Sequence, residues 1–355
     1  MKKRIVFFVC AALCALFIAF NSEAAEAARA GFALWQNVLL PSLLPFFICA
    51  RIMQGSGAVE PSDPVALFAL SFISGAPSGA RLCAAFAPGK NCPHGPTLVA
   101  ASLNALSPVF VCGAYAAVML GAPALAVPLM AGQLVSALVF FAFFIRGGAL
   151  DMTKHEVLRE RIPLSRLFIS SIEDAMLGLL SICGTVVFFS VLKAMLDVTG
   201  AAAVLTWPLR KLVAALGGAE GAVEAMLSAL IEIASGTSDL AGSGMGLRAL
   251  VAASAFAFSF GGLCVAVQSM LFMRIHLGKY LLVKLAQGAL SALIAFLVFP
   301  LCARGVTPTG IGLDEVMANA LSACALFAVS AFGMALVLLL CAVRRRTGGN
   351  AGEDA

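Results

Sequence analysis

Apolar residues run in long stretches along this chain, separated by short polar clusters. Residues 5–20 form the first run. Residues 26–55 follow, amphipathic at their start and interrupted by Pro41 and Pro45. Residues 64–86 have a glycine-rich centre, residues 97–121 are interrupted at Ser107 and Pro108, and residues 124–145 are clean. After a charged stretch, 146–166, the rhythm returns. Residues 167–196 are long and apolar, and 197–218 are polar-tinged and predict an interfacial segment. Residues 219–241 are broken around Gly236, 247–273 are interrupted at Gly261 and Gly262, and 280–302 are clean. Residues 316–343 close the series ahead of Arg344, Arg345 and Arg346. A run of about 20 apolar residues crosses the hydrocarbon of a bilayer as a helix. The runs are continuous rather than alternating, which predicts helices and not a transmembrane barrel.

The segment order is the same in both halves: long helix, glycine-broken segment, helix with a polar interruption, clean span. This predicts an all-α polytopic membrane protein of two inverted repeats with re-entrant hairpins and broken helices, the build of many secondary transporters. The expected division is a first transmembrane helix at 1–25, repeat 1 at 26–146, a cytoplasmic loop at 147–165, repeat 2 at 166–303, and a final transmembrane helix with a basic tail at 304–355. Residues 1–25 also have the layout of a signal peptide, with Lys2, Lys3 and Arg4 ahead of the apolar run. An uncleaved helix is the expectation, because it suits the topology that the charges favour. With both termini cytoplasmic and segments 64–86 and 219–241 re-entrant, most Lys and Arg fall on the cytoplasmic side, with Arg29, Arg248 and Arg304 outside. That satisfies the positive-inside rule. Full crossing by every segment would put the charged stretch 146–166 outside instead.

Composition agrees. The 355 residues are 61% hydrophobic and 12% charged, against about 25% charged in a soluble domain. The net charge of +5 comes from short loops and chain ends, with no aromatic-interleaved basic patch, so no nucleic-acid partner is expected. Most of the eleven cysteines lie inside apolar runs and none forms a C-x-x-C pair. They read as small packing residues, and no disulfide framework, metal site or cofactor is expected. The three histidines, His94, His155 and His276, lack metal-ligand spacing. There is no H-E-x-x-H, Ser78 lacks the glycine context of an intramembrane serine protease, and the glycine-rich 242–246 fits no phosphate loop. An enzyme is not expected.

Four polar breaks interrupt the apolar runs: 74–81 and 104–108 in the first half, and 232–239 and 259–262, with Gln268 beyond, in the second. Backbone that leaves the helix at membrane depth must line a cavity or be buried in protein. Free N–H groups at a half-helix start suit an anion, and free carbonyls at a half-helix end suit a cation. The breaks therefore predict one midplane substrate site from Gly75, Ser78, Gly79, Arg81, Asn104 and Ser107 with Glu232, Ser235, Gly236, Thr237, Gly261, Gly262 and Gln268. Glu232, a carboxylate within a span, is the sharpest of these and is expected to bind a coupling cation or accept a proton. Glu173 and Asp174 are expected at the membrane edge, and Lys193 and Lys284 to snorkel.

Residues 40–47 (LPSLLPFF), 75–80 (GAPSGA), 104–108, 232–236 (EIASG) and 260–262 with Gln268 resemble, in the same order, the sporulation integral membrane protein family called YlbJ or SpoVV. The resemblance covers roughly residues 30–300. Two positions depart: Ala76 stands where an aromatic residue is common in that family, and residues 264–267 (CVAV) where a more polar run is usual. The family belongs with the gate-domain proteins, which are similar to concentrative nucleoside transporters and the membrane part of ferrous iron transporters. What the resemblance implies is a multi-pass protein of a bacterial cell membrane around the developing spore, the outer forespore membrane included. It also implies alternating-access transport of dipicolinic acid, a small organic anion. Other readings stay open: a nucleoside or other small-solute transporter, and a non-transporting scaffold in spore-envelope assembly. A homo-oligomer stays open as well.

Overall fold

The structure, a computed structural model, describes residues 2–55, 63–84, 86–151, 163–215 and 221–302. The expected final helix and basic tail, and most of the charged loop, lie outside the described residues. The chain is almost entirely helical. Helix α1 (Lys2–Ala19) meets α2 (Asn21–Leu34) at a bend of 97°. A π-helical turn, Trp35–Leu39, joins α2 to α3 (Leu40–Gly55). Then come α4 (Pro64–Ser74), α5 (Ser78–Cys83), α6 (Gly95–Leu103), a π helix (Phe110–Met119) and α7 (Ala126–Arg146). The second half holds α8 (Leu164–Val198), α9 (Ala201–Ala215), α10 (Gly221–Ile231), α11 (Ile233–Ala241), α12 (Leu247–Phe260), α13 (Gly262–Ser269) and α14 (Leu277–Cys302). Among the described residues the only sheet is the two-residue antiparallel pair β1 (Ala87–Pro88) with β2 (Leu150–Asp151), which ties the end of α7 to the loop before α6.

Local chemistry sets the helix ends. Asp63 caps α4, accepting from Val65 N at 2.9 Å with Pro64 in the first turn. Gly75 (φ 71°) stops α4, and Gly261 and Gly262 (φ 81° and 76°) separate α12 from α13, a conformation that glycine reaches without a Cβ penalty. The second-half break differs from the sequence expectation. It falls at Glu232, which is extended (φ −137°, ψ 114°), and Gly236 lies within α11. The absent side chain of Gly236 serves packing instead: a Cβ there would stand 2.2 Å from the Cα of Ala229 on α10.

Four stretches, Pro123–Arg146, Ser165–Val198, Leu247–Ser269 and Leu277–Cys302, are long and apolar enough to cross a membrane, and the bent pair at the amino end would make a fifth. Helices α7, α8 and α14 expose large apolar side chains such as Phe143, Ile169, Leu177, Leu293 and Leu297. Water would penalise that surface at about 25 cal/mol per Å², and a bilayer removes the penalty. This is an all-helical, multi-pass membrane architecture. The α12–α13 stretch is the inner element, its apolar window 72% buried.

Helix packing runs in matched pairs. Helix α7 lies against α14, and α2–α3 against α8. Helix α6 packs on α7 and α14, and α12 packs on α14 and α7. Small residues set the closest approaches, as is usual where lipid gives no hydrophobic drive between helices. A Cβ on Gly132 of α7 would stand 2.5 Å from the Ser291 carbonyl of α14, and one on Gly288 would meet the Phe256 ring at 3.1 Å. Gly132→Leu is expected to part α7 from α14 and to cost roughly 1–3 kcal/mol, as overpacking does. Thermal unfolding in detergent checks it; an unchanged midpoint would contradict this packing.

Candidate functional site

The breaks in the helices come together. Ala76 N at the turn between α4 and α5 donates to the Ala105 carbonyl at 2.7 Å, so the first turn sits on the break that follows α6. A Cβ on Gly75 would stand 2.7 Å from both N and Cβ of Ser107, and one on Gly79 would stand 2.6 Å from Asn104 Oδ1. In the second half, a Cβ on Gly262 would stand 3.3 Å from Ile233 N, which places the α12–α13 break against the turn at Glu232.

Two adjoining cavities occupy this region. The inner one, about 60 Å³, is lined by Ser74, Ala76, Leu106, Ser107, Glu232, Ile233, Ala234, Cys264, Val265 and Gln268, with α3 and α8 closing it. Three of the four breaks therefore contribute, and α13, which follows the fourth, adds Cys264, Val265 and Gln268. The outer one, about 290 Å³, is lined by Phe47, Arg51, Ser74, Pro77, Ser78, Arg81, Asp174, Ser181, Gln268 and Phe272, among others. Phe47, Ser74, Ile182 and Gln268 line both, so the two share a wall. At the mouth Asp174 is half-exposed and Leu177 and Leu271 are exposed.

The charges divide between the two cavities. In the outer one Asp174 Oδ2 lies 3.0 Å from Arg51 Nη2 and 3.8 Å from Arg81 Nη2. Two guanidiniums share one carboxylate, which leaves a net positive wall. In the inner one Glu232 is the only charged residue among those lining it. Its carboxylate is 1% exposed and accepts from Ala234 N at 2.8 Å and Ser235 N at 2.6 Å. The start of α11 is thus capped by the protein's own anion. Those N–H groups are not free for a substrate anion, contrary to the sequence expectation for this half-helix. The cationic groups of this region lie instead on Arg51 and Arg81.

The predicted residues take three roles. Ser78, Arg81, Ser107, Glu232 and Gln268 face one cavity or both, beside Ser74, which was not among them. Gln268 Nε2 donates to Thr185 Oγ1 at 2.5 Å, which joins α13 to α8. Gly75, Gly79, Gly236, Gly261 and Gly262 shape the turns and close approaches. Asn104, Ser235 and Thr237 line neither cavity; Thr237 bonds back to the Ala234 carbonyl at 2.7 Å. Asn104 is the buried hub of the first break. Its Oδ1 accepts from Ala80 N at 3.0 Å, and its Nδ2 donates to Ser269 Oγ at 2.7 Å and Tyr280 OH at 3.1 Å. Its carbonyl accepts from Lys284 Nζ at 2.5 Å, and the Leu106 carbonyl accepts from Gln133 Nε2 at 2.5 Å.

Sequence reasoning missed Arg51 and Asp174 as cavity residues and misplaced Lys284, which lines neither cavity. Arg51 and Asp174 sit at segment ends, where charge is ordinary, and only the fold turns both inward. Lys284 carried a legible sign, a charge inside a clean span, yet it is buried and does not snorkel. At another position, His94 and His276 lie edge on, 4.8 Å between centroids, in a loop cavity of about 250 Å³. Partial desolvation first, then positive Lys279 and His276, hold His94 below the ordinary imidazole range. Among the described residues no three His, Cys, Asp or Glu side chains group as a metal site. Comparison with protein-family models, curated proteins and solved structures gives no match.

Asn104→Ala is expected to remove three buried hydrogen bonds that tie the first break to α5, α13 and α14, at about 0.5–1.5 kcal/mol each. Thr206→Ala, which removes only bonds to the Ala202 and Ala203 carbonyls of its own helix, is the control. Equal shifts in thermal midpoint for the two variants would contradict the hub role.

Proposed function

We propose that this chain is a carrier for a small organic anion, with dipicolinic acid, the substrate implied by the YlbJ/SpoVV resemblance, as the leading candidate. The observation that carries the reading is the single lining of the inner cavity by chain breaks from both halves, with an arginine-bearing cavity beside it. Unwound backbone around a shared void is how broken-helix transporters build a midplane site. The outer cavity, lined by Phe47 and Phe272 with Arg51 and Arg81, suits a planar ring carrying carboxylates. The inner cavity is far smaller and suits waters or a small ion, so substrate passage requires the helix pairs to move.

Two inverted repeats are the architecture we assign. The matched packing of α7 on α14 and of α2–α3 on α8, with α6 crossing to α14 and α12 crossing to α7, is what a two-fold relation between halves requires. Alternating access follows from the ion pairs at the two ends of α8. Near its start Asp174 meets Arg51 and Arg81, beside the open cavity. Near its end Lys193 pairs with Asp239 of α11, which also accepts from Ser228 of α10 at 2.5 Å. In the topology that obeys the positive-inside rule, the open cavity faces the cytoplasm and the Lys193–Asp239 pair closes the far side. The residence we assign is the bacterial cell membrane, the outer forespore membrane included.

A nucleoside or other neutral solute is the second reading. The inner cavity favours it, because a lone carboxylate there repels an anion.

In proteoliposomes, preloaded dipicolinate is expected to drive counterflow of labelled dipicolinate. Arg51→Gln and Arg81→Gln are each expected to raise the half-saturation concentration about tenfold, the loss of one charge-assisted contact of roughly 1.5–3 kcal/mol partly offset by freeing Asp174. Absence of counterflow for dipicolinate and for nucleosides alike would overturn the carrier reading. Cysteines replacing Lys193 and Asp239, in a variant stripped of native cysteines, are expected to abolish counterflow when oxidised and to restore it on reduction. Unchanged transport after oxidation would remove that pair from the gate.

A further inference from the structure

Lys284 lies on α14 and is fully buried. Its Nζ donates to the Asn104 carbonyl at 2.5 Å and to Gln287 Oε1 at 3.3 Å. Helix α6 ends at Asn104, so the ammonium stands at the carbonyl end of a half-helix inside the protein. Such an end gathers negative partial charge, and in secondary transporters unwound carbonyls there coordinate the coupling cation.

No acid neutralises the ammonium among the described residues. The helices packed against α14 bring no carboxylate. Helix α6 carries no titratable side chain, α7 only Arg146 at its far end, α12 only Arg248 in its first turn, and α13 only Cys264. Helix α14 itself adds Lys279 at its exposed start and Tyr280, whose hydroxyl accepts from Asn104. The ammonium is thus held only by neutral acceptors in a dry interior, where a lone charge is costly. The same Asn104 accepts from Ala80 N of α5, so whatever holds Asn104 also holds the first broken pair in place.

We propose that Lys284 is a proton-binding site that takes the place of a coupling cation. With the proton, the ammonium grips the Asn104 carbonyl and the α4–α5 pair is docked. When the proton leaves, the neutral amine relaxes its grip and the pair is released. The proton is taken from water on one side and returned to water on the other, and no other group changes. This deepens the carrier reading and rests on it: the carrier is proton-coupled and independent of sodium.

The test uses wild type, Lys284→Met and Lys284→Arg in proteoliposomes with dipicolinate, alongside hydrogen exchange of residues 78–83 from pH 5 to 9. Wild type is expected to show counterflow, accumulation that changes about tenfold per unit of imposed pH gradient for one coupled proton, no response to sodium, and a pH-dependent step in exchange. Lys284→Met is expected to keep counterflow and lose both pH responses. Should it fail to fold, Lys284→Arg, which keeps its charge throughout, is expected to fold and to lose the exchange step. Counterflow with no pH response in wild type, or pH responses that survive in Lys284→Met, overturns the proton site and leaves the carrier reading intact. An exchange step without any counterflow supports the proton site as a pH switch and sinks the carrier reading instead. Neither an exchange step nor counterflow overturns both.

Discussion

A backbone that leaves the helix inside a bilayer exposes N–H and C=O groups that lipid cannot satisfy, and the rest of this structure depends on how they are satisfied here. In the first half, side chains do it, two of them from other helices. Lys284 of α14 takes the Asn104 carbonyl and Gln133 of α7 takes the Leu106 carbonyl, while Asn104 reaches back to the amide of Ala80 and across to Ser269. In the second half, Glu232 folds onto the first amides of the helix that it precedes. Each break is thereby stitched to its surroundings, and the breaks converge instead of drifting apart.

That convergence is what creates a void. Helices α4–α5 and α10–α11 end their turns against the interruptions between α6 and the π helix and between α12 and α13, and the space left between them is the inner cavity. Helices α3 and α8 wall it and carry the charges that distinguish its approaches. The arginine pair with Asp174 stands beside the wide cavity, and Lys193 with Asp239 lies at the other end of α8. The charged groups near the two cavities thus lie towards the two ends of α8.

Much of this was legible in the sequence because the bilayer makes patterns strict. Apolar runs had to be helices, and the glycine and proline clusters at 74–81 and 259–262 had to be breaks. What stayed hidden depended on side-chain reach. Glu232 looked like a ligand, but its spacing to Ala234 and Ser235 also makes it a cap, and that shifted the break away from Gly236. Arg51 and Asp174 are each unremarkable in sequence, and lie far apart in it; only the packing of α3 on α8 brings them together. Lys284 was visible as a charge within a span, yet its partner Asn104 could not be paired with it until α6 was seen to lie on α14.

On the carrier reading, unwound chain from both halves encloses one ligand site, and a structure solved with saturating dipicolinate tests it. Density for the ring is expected beside Phe47 and Phe272, with its carboxylates at Arg51 and Arg81 and its inner edge towards Ser74 and Gln268. Ordered ligand bound elsewhere on the protein, with this pair of cavities filled by side chains or lipid, would contradict it.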